Sequence, residues 1–368
     1  MNQKELIEAN YAVSQEIIEK YGKNNGYYRA SELLESKDED GNEPAAFIST
    51  NNRSSGKTSY WAMLSKKIWE MYKAKTVILV REVGELEGIE EAYGDVCASY
   101  GWPEVTQRTV VLRTCIELKL GEEGFAYVVP LKKYVALKKY SPIFRDVWLI
   151  VMDEYQLENG KFIKHELQAF RSVFRTVSRG GGQRSRNVKM LLFGNPVTLL
   201  NPYLLNFNIS EKYEFGREYV KGKRVVAEFI INAAAHEEMK SNIANDLFES
   251  GNQFDCGEDF LLNDKLYMEK CSGKSEYLFT LVYGNKYYGV RRYKKNSCIH
   301  VGEKKDPSCQ TILAFRENDR IQNEELLERR DYTWNMMREA YKYGNLRFDS
   351  MKAKAMVFDL MGIDMYGA

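Results

Sequence analysis

Ser49-Thr50-Asn51-Asn52-Arg53-Ser54-Ser55-Gly56-Lys57-Thr58 follows a short apolar run, Ala45-Ala46-Phe47-Ile48, and precedes a helical pattern that begins near Lys57. An apolar strand, a polar loop ending in Gly-Lys-Thr and a helix form a phosphate cradle. Backbone N–H groups at the helix start point at the anion, and the helix dipole favours negative charge there. The loop backbone from Asn51 through Asn52, Arg53, Ser54, Ser55 and Gly56 would wrap the phosphates. Lys57 would reach the outer ones, and the Thr58 hydroxyl would ligate Mg²⁺. The pattern has glycine where Asn51 stands, to make a tight turn. Asparagine tolerates left-handed backbone angles, so Asn51 is expected to make that turn itself.

A second stretch completes the chemistry. Val147-Trp148-Leu149-Ile150-Val151-Met152-Asp153-Glu154-Tyr155 reads as a buried strand ending in two carboxylates. Asp153 would join Thr58 in the Mg²⁺ shell, and Glu154 would activate water. The two motifs in this order, Walker A then Walker B, predict a core that binds ATP with Mg²⁺. The strand Val188–Phe193 runs into Gly194-Asn195-Pro196. Polar Asn195 at the C-terminal end of a core strand is placed to sense the γ-phosphate, because ligands sit at that edge of parallel sheets.

The totals bound the rest. A chain of 368 residues with 44% hydrophobic content suggests about two domains with ample cores. A net charge of +1 announces no global attraction to nucleic acid, so any such surface is a local patch. Six scattered cysteines without a CxxC pair read as reduced thiols, not a disulfide or zinc framework. No apolar run approaches membrane-spanning length, and no signal-peptide core is present; the expectation is a soluble intracellular protein with no membrane partner.

Residues 1–22 have helical apolar spacing, and Ser36–Pro44 is a turn-rich loop. Thr76–Val80 is a β-branched run suited to a buried parallel strand, with Arg81 at its end facing either a phosphate ligand or solvent. Residues 88–100 read as a short helix, and Thr109–Lys119 with Phe125–Leu131 as a hairpin. Lys132-Lys133-Tyr134 and Lys138-Lys139-Tyr140 suit phosphate contact or a solvated face equally. Phe162–Ser178 is helical and enters Arg179-Gly180-Gly181-Gly182-Gln183-Arg184-Ser185-Arg186. This glycine hinge among arginines would present a guanidinium to a neighbouring subunit's phosphate, or form a basic loop.

These motifs resemble the DNA-packaging ATPases of phi-29-type tailed phages, relatives of the large terminase subunit. The resemblance covers most of the chain. It includes Arg53 within the phosphate loop, the strand ending Asp153-Glu154-Tyr155, Thr176-Val177-Ser178-Arg179, and Asn195. It continues through Asn201-Pro202-Tyr203-Leu204, Asn206-Phe207-Asn208, and Gly344-Asn345-Leu346-Arg347-Phe348-Asp349. It implies an α/β fold: a three-layer P-loop NTPase core of the ASCE type, a linker or lid, and a C-terminal RNase H-like vestigial nuclease domain. The implied divisions are 1–205 for the ATPase, 206–262 for the linker and 263–368 for the nuclease-like domain. It further implies a homomeric ring, a pentamer, seated at the portal vertex of a procapsid in the host cytoplasm and driving double-stranded DNA inward. A structural packaging RNA is a further implied partner. By the same resemblance Arg179 is the finger acting in trans, with Lys138 a second group in that role. The glycine-rich insertion leaves Arg175, Arg184 or Arg186 as alternatives.

Without the resemblance, 206–262 reads as a helical connector with an Ala-rich stretch from Ile230 to Phe248. Leu278–Tyr283 and Tyr287–Tyr293 read as a hairpin extended by Ser297–Val301, and helices are expected over Asn323–Tyr343 and Ser350–Met361. A nuclease of this class needs two or three carboxylates converging on divalent metal. The hairpin core supplies none, which leaves Asp349 and Asp359 on late segments, so a domain without its metal site is expected. Arg291-Arg292-Tyr293-Lys294-Lys295 with Lys304-Lys305 suggests a phosphate-binding face. The alternatives are a terminase that also cuts DNA and a non-hydrolysing docking scaffold for RNA or portal.

Overall fold

A computed structural model describes residues 1–23, 25–157, 162–180, 185–240, 264–295, 297–320, 325–326 and 331–363. The chain divides into two compact units. One comprises Met1–Val197 with Asn206–Leu261, and the other Thr198–Leu205 with Leu262–Ala368. The elements begin with α1 (Gln3–Tyr21), α2 (Ser31–Glu35), β1 (Ala46–Asn51), α3 (Lys57–Tyr72), β2 (Lys75–Val80) and α4 (Ile89–Tyr100). There follow β3 (Val105–Val111), β4 (Cys115–Leu120), β5 (Glu123–Pro130), α5 (Tyr134–Leu137), β6 (Val147–Met152), α6 (Glu166–Ser178) and β7 (Lys189–Gly194). Then come α7 (Pro202–Asn206), β8 (Tyr219–Gly222), β9 (Val225–Ile230) and α8 (Ala233–Lys240). The last group is β10 (Ser275–Tyr283), β11 (Lys286–Tyr293), β12 (Cys298–Gly302), β13 (Ile312–Ala314), β14 (Glu325–Leu326), α9 (Tyr332–Lys342), β15 (Leu346–Phe348) and α10 (Met351–Met361).

The first unit is built on a nine-stranded sheet in the order β3-β4-β5-β2-β6-β7-β1-β9-β8. The six strands from β5 to β9 in that order are parallel, with antiparallel strands only at the edges. Every residue of β1 and β7 is buried, which is why these strands read as continuous apolar runs instead of alternating. Because β7 lies between β1 and β6, the phosphate loop and the carboxylate pair project from non-adjacent strands, as the ASCE type requires. Leu6, Ala9, Val13 and Ile17 form one buried stripe of α1, and Asn2 closes a capping box with Glu5 at its start. Against α1 lies α3, whose Tyr60, Trp61, Leu64 and Ile68 fill the layer above the sheet.

Three expectations change. Thr109–Lys119 is not one arm of a hairpin: the chain turns at 112–114, so β3 pairs with β4 and β4 with β5, both antiparallel. The segment 206–262 is not a helical connector over its described part: β8 and β9 extend the large sheet, with β9 parallel to β1, and only Ala233–Lys240 is helical there. Alternation in β9 is lost because it is covered by neighbours, so the strand signal was masked. The remainder of the Ala-rich stretch, 241–248, lies outside the described residues. Likewise Glu325–Leu326, within the expected late helix, pairs as a strand with β13.

The second unit holds a six-stranded sheet in the order β14-β13-β10-β11-β12-β15. The hairpin β10–β11 and its neighbour β12 are antiparallel, while β13 joins β10 in parallel and β15 joins β12 in parallel. Trp334 of α9 and Phe348 and Phe358 near the chain end pack with Phe279 and Val290 into its core. Asp264 accepts hydrogen bonds from the Thr198 hydroxyl at 2.9 Å and the Leu199 N–H at 2.5 Å, fixing 198–205 within this unit. Among the described residues no helix is long and apolar enough to cross a membrane.

One side chain ties three parts of the first unit together. Arg81, just past β2, is 6% exposed and pairs with Glu166 at the start of α6, which is 3% exposed. Its Nε donates to both Glu166 oxygens at 3.1 Å, Nη1 to the Glu154 carbonyl at 2.7 Å and Nη2 to the Tyr155 carbonyl at 3.0 Å. The solvent-facing expectation for Arg81 does not hold: it is buried, and it lines the same cavity as Asp153 and Glu154. Removing one partner of a buried pair strands the other, so Arg81→Met is expected to lower unfolding stability by about 3–5 kcal/mol. Arg81→Met with Glu166→Met should recover only part of that loss, since the carbonyls of Glu154 and Tyr155 stay without donors. Urea unfolding midpoints of the wild type and the two variants check both statements.

Candidate functional site

The site is assembled at the C-terminal ends of β1, β6 and β7. Asn51 ends β1, and the loop Asn52–Gly56 turns the chain into α3. The left-handed residues of the loop are Ser54 (φ 57°) and Gly56 (φ 83°), not Asn51. Asn51 is accommodated by a different route. Its side-chain oxygen accepts from the Ser55 hydroxyl at 2.7 Å and from Lys57 Nζ at 2.6 Å, and its amide donates to Ser49 at 3.1 Å. The glycine the pattern strictly needs is Gly56, where φ is positive and a Cβ would lie 2.8 Å from the Tyr27 ring.

The loop is braced from outside. The Tyr28 N–H donates to the Ser55 carbonyl at 2.8 Å. Asn52 and Asn232 exchange two hydrogen bonds, at 3.2 and 2.8 Å, linking the loop to the second residue beyond β9. No side chain caps the N-terminus of α3, so its first N–H groups are available to an anion. Lys57 folds back onto the loop oxygens: besides Asn51, its Nζ donates to the Asn52 carbonyl at 2.8 Å and to Asn195 Oδ1 at 3.0 Å. Asn195, just past β7, therefore contacts the loop lysine. Burial holds the Lys57 ammonium down to about 8, with Arg53 acting in the same direction and Asp153 and Glu154 opposing.

The Thr58 hydroxyl donates to Asp153 Oδ2 at 2.8 Å, and Trp61 Nε1 donates to the same oxygen at 2.9 Å. Two hard oxygen ligands thus meet beside the helix start, a donor set that fits Mg²⁺. Trp61 was not singled out by the sequence, where it reads only as an apolar helix residue. Glu154 follows in a left-handed conformation, φ 56°, that costs an ordinary residue on the order of 1 kcal/mol or more. Its backbone is held by Arg81, and the next N–H, that of Tyr155, donates to the Phe193 carbonyl at 2.8 Å. Loss of water on its protein side and the neighbouring Asp153 and Glu85 raise its pKa above the usual carboxylate value, against Arg53 and Arg81. Thr58, Asp153 and Glu154 border a cavity of about 690 Å³ that extends under α4 past Ile78, Tyr93 and Phe162.

The arginines after α6 separate clearly. Gly180 abuts the Phe144 carbonyl, and the Arg186 guanidinium donates to the carbonyls of Phe144, Arg145, Val147 and Val177. Arg186 is thereby used in holding the chain before β6, which removes it as an alternative finger. Arg184 lies outside the described residues. Arg175 and Arg179 are exposed and line one groove with Lys138. Since Val147 begins β6 and Asp153 follows its end, Arg179 sits at the sheet edge opposite the phosphate loop. The length of α6 separates it from Glu154 of the same chain, roughly 20 Å, beyond an arginine side chain.

Comparison with known proteins agrees with this architecture. The family described as podovirus DNA encapsidation protein (Gp16) matches residues 46–364. The DNA packaging protein of Bacillus phage phi29 is 22% identical over 294 residues, 78% of this chain and 85% of that protein. That of Bacillus phage B103 is 21% identical over 282 residues, 75% of this chain and 84% of that protein. Among solved structures, the bacteriophage Phi-29 viral genome packaging motor assembly superposes with a TM-score of 0.66 at 18% identity, covering 92% of this chain and 99% of that one. The Phi-28 gp11 DNA packaging motor gives 0.63 at 14% identity, covering 92% and 98%. With its phosphate loop, its paired carboxylates and a match across most of its length, the chain belongs to the podovirus DNA encapsidation protein family.

Proposed function

We propose that this chain is the ATP-hydrolysing subunit of a ring that drives double-stranded DNA into an empty procapsid. The observation that carries the reading is the contact of Thr58 with Asp153 beside the uncapped start of α3, with Glu154 next in sequence. When bound, ATP supplies the phosphoanhydride and Mg²⁺ the positive charge that offsets its oxygens. Thr58 and Asp153 would hold the metal, and Asn51 to Gly56 with Lys57 the phosphates, while Asn195 keeps Lys57 oriented. Glu154 takes a proton from the attacking water at its carboxylate, whose raised pKa suits a base working near neutrality. Arg179 and Lys138, directed away from their own loop, serve the neighbouring copy's site. We also read the second unit as RNase H-like without nuclease chemistry. The run β12-β11-β10-β13-β14, an antiparallel meander flanked by parallel strands, supports that topology. Its basic hairpin faces a phosphate-bearing partner, a packaging RNA, or the portal. A pentameric ring, assembled in the host cytoplasm and seated at the portal vertex, is the arrangement we infer for the working motor.

Three outcomes test the reading. Glu154→Gln should bind ATP with near-normal affinity and lose at least a hundredfold in turnover, while wild-type turnover rises with double-stranded DNA and procapsids. Steady-state hydrolysis beside nucleotide titrations decides it, and a wild type silent under every condition would leave the scaffold reading in its place. Arg179→Ala should likewise bind but not turn over, and mixing it with Lys57→Ala subunits should restore activity at shared interfaces.

The third outcome concerns pH. Lys57 ionises at about 8 in the fold and at 10.5 ordinarily, so the unfolded chain holds the extra proton between those values. Its contribution to stability therefore rises from pH 8 to 10.5 and is lost as pH falls through 8. Phosphate favours the ammonium, so ATP affinity should fall with rising pH above about 8, by up to tenfold per pH unit. Lys57→Arg should flatten that profile, which Kd values measured from pH 7 to 9.5 would reveal.

A further inference from the structure

The groove between α6 and the turn Lys138–Phe144 has a cavity volume of about 430 Å³ and is lined by four cations and no carboxylate. Those cations are Lys138, Arg171, Arg175 and Arg179, all of them exposed. Among the described residues none of them makes an ion pair or a side-chain hydrogen bond; Lys138 stands 5.7 Å from the centre of the Tyr134 ring. Arg171, Arg175 and Arg179 occupy successive turns of one helix face, a row of about 12 Å. Like charges so arranged repel one another, and the groove gains from an anionic occupant.

A chain with a net charge of +1 must carry matching negative charge elsewhere. One of its acidic runs, Glu82, Glu85, Glu87, Glu90 and Glu91, leads into the first turn of α4 beside the carboxylate site. Glu82 and Glu85 line the same cavity as Asp153 and Glu154, and Glu87 and Glu91 are exposed beyond them. Lys132 neutralises Glu82 at 2.6 Å and leaves the rest of the stretch acidic.

We propose that the basic groove on α6 docks onto the acidic stretch Glu82–Glu91 of a second copy of this chain. The inference rests on the reading of Arg179 and Lys138 as groups that serve a neighbour's site. If Arg179 reaches the partner's carboxylate loop, Arg175 and Arg171 lie about 6 and 12 Å further back along the helix, where the acidic stretch rims the same cavity. The basic face and the acidic face are different surfaces of one chain, so the contact is head-to-tail and propagates until it closes into a ring. Complementary charge across it sets register and orientation.

Charge reversal tests this. Arg171→Glu with Arg175→Glu, and separately Glu87→Arg with Glu91→Arg, should each weaken self-association of the full chain at least tenfold at low salt while retaining ATP binding. Combining all four substitutions restores opposite charges across the contact and should recover association, read by sedimentation and by binding to procapsids. If the reversals unfold the chain, Arg171→Gln with Arg175→Gln keeps the test, with weaker association and a loss of its salt dependence. A combined variant that binds ATP yet associates no better than the single-face reversals overturns the proposal. So does a groove variant that assembles normally and loses only its stimulation by double-stranded DNA, which would assign the groove to a nucleic-acid backbone. Arg179→Ala separates the two readings: normal turnover in that variant removes the trans role, and the association data still judge the interface by themselves.

Discussion

The buried pair of Arg81 and Glu166 is the constraint on which the site geometry depends. Three segments distant in sequence converge on one guanidinium: the end of β2, the carboxylate loop after β6 and the start of α6. A planar five-donor fork can satisfy a carboxylate and two carbonyls at once, and lysine could not. The left-handed turn at Glu154 is affordable because its own carbonyl and the next residue's are both held. Through Glu166 the same guanidinium anchors the helix that ends at Arg179, so the residues proposed for water activation and for the neighbour's phosphate hang from opposite ends of one rigid element.

Much of the site was legible because its chemistry is local. A phosphate loop is a strand, a turn and a helix in one stretch, and Gly56-Lys57-Thr58 announces it. Asp153 and Glu154 follow a run of six apolar residues, and Asn195 ends another. What the sequence concealed was long-range. Arg81 at a strand end looks like a surface charge until Glu166, 85 residues away, is folded against it. Trp61 reads as core and is also a hydrogen-bond donor to Asp153. The replacement of glycine by Asn51 was read as a backbone matter, whereas the side chain bonds to Ser55 and Lys57 and the turn is made by Ser54 and Gly56. Strands β8 and β9 were missed because a strand covered on several sides loses its alternation, and an Ala-rich neighbour biased the reading toward helix.

The parallel sheet gives the first unit two functionally different edges. Strand C-termini gather the phosphate loop, the carboxylates and Asn195, while the strand N-termini gather Gly180, Arg186 and the end of α6. On the roles proposed for Glu154 and Arg179, two halves of one reaction lie on opposite edges and are of little use within a single chain. On that proposal they become complementary when identical chains are placed in sequence.

The second unit has a consequence for how the protein is made. Its segment Thr198–Leu205 is synthesised long before the rest of that unit, and its anchor Asp264 lies 66 residues downstream of Thr198. Between them the ribosome delivers β8 and β9, which belong to the other unit's sheet. Vectorial synthesis therefore obliges the nascent chain to finish the large sheet around an early-made loop whose partners do not yet exist. A fragment cut cleanly at residue 262 would be born without a segment that belongs to its own unit, and one ending before 219 would leave β1 as a bare edge.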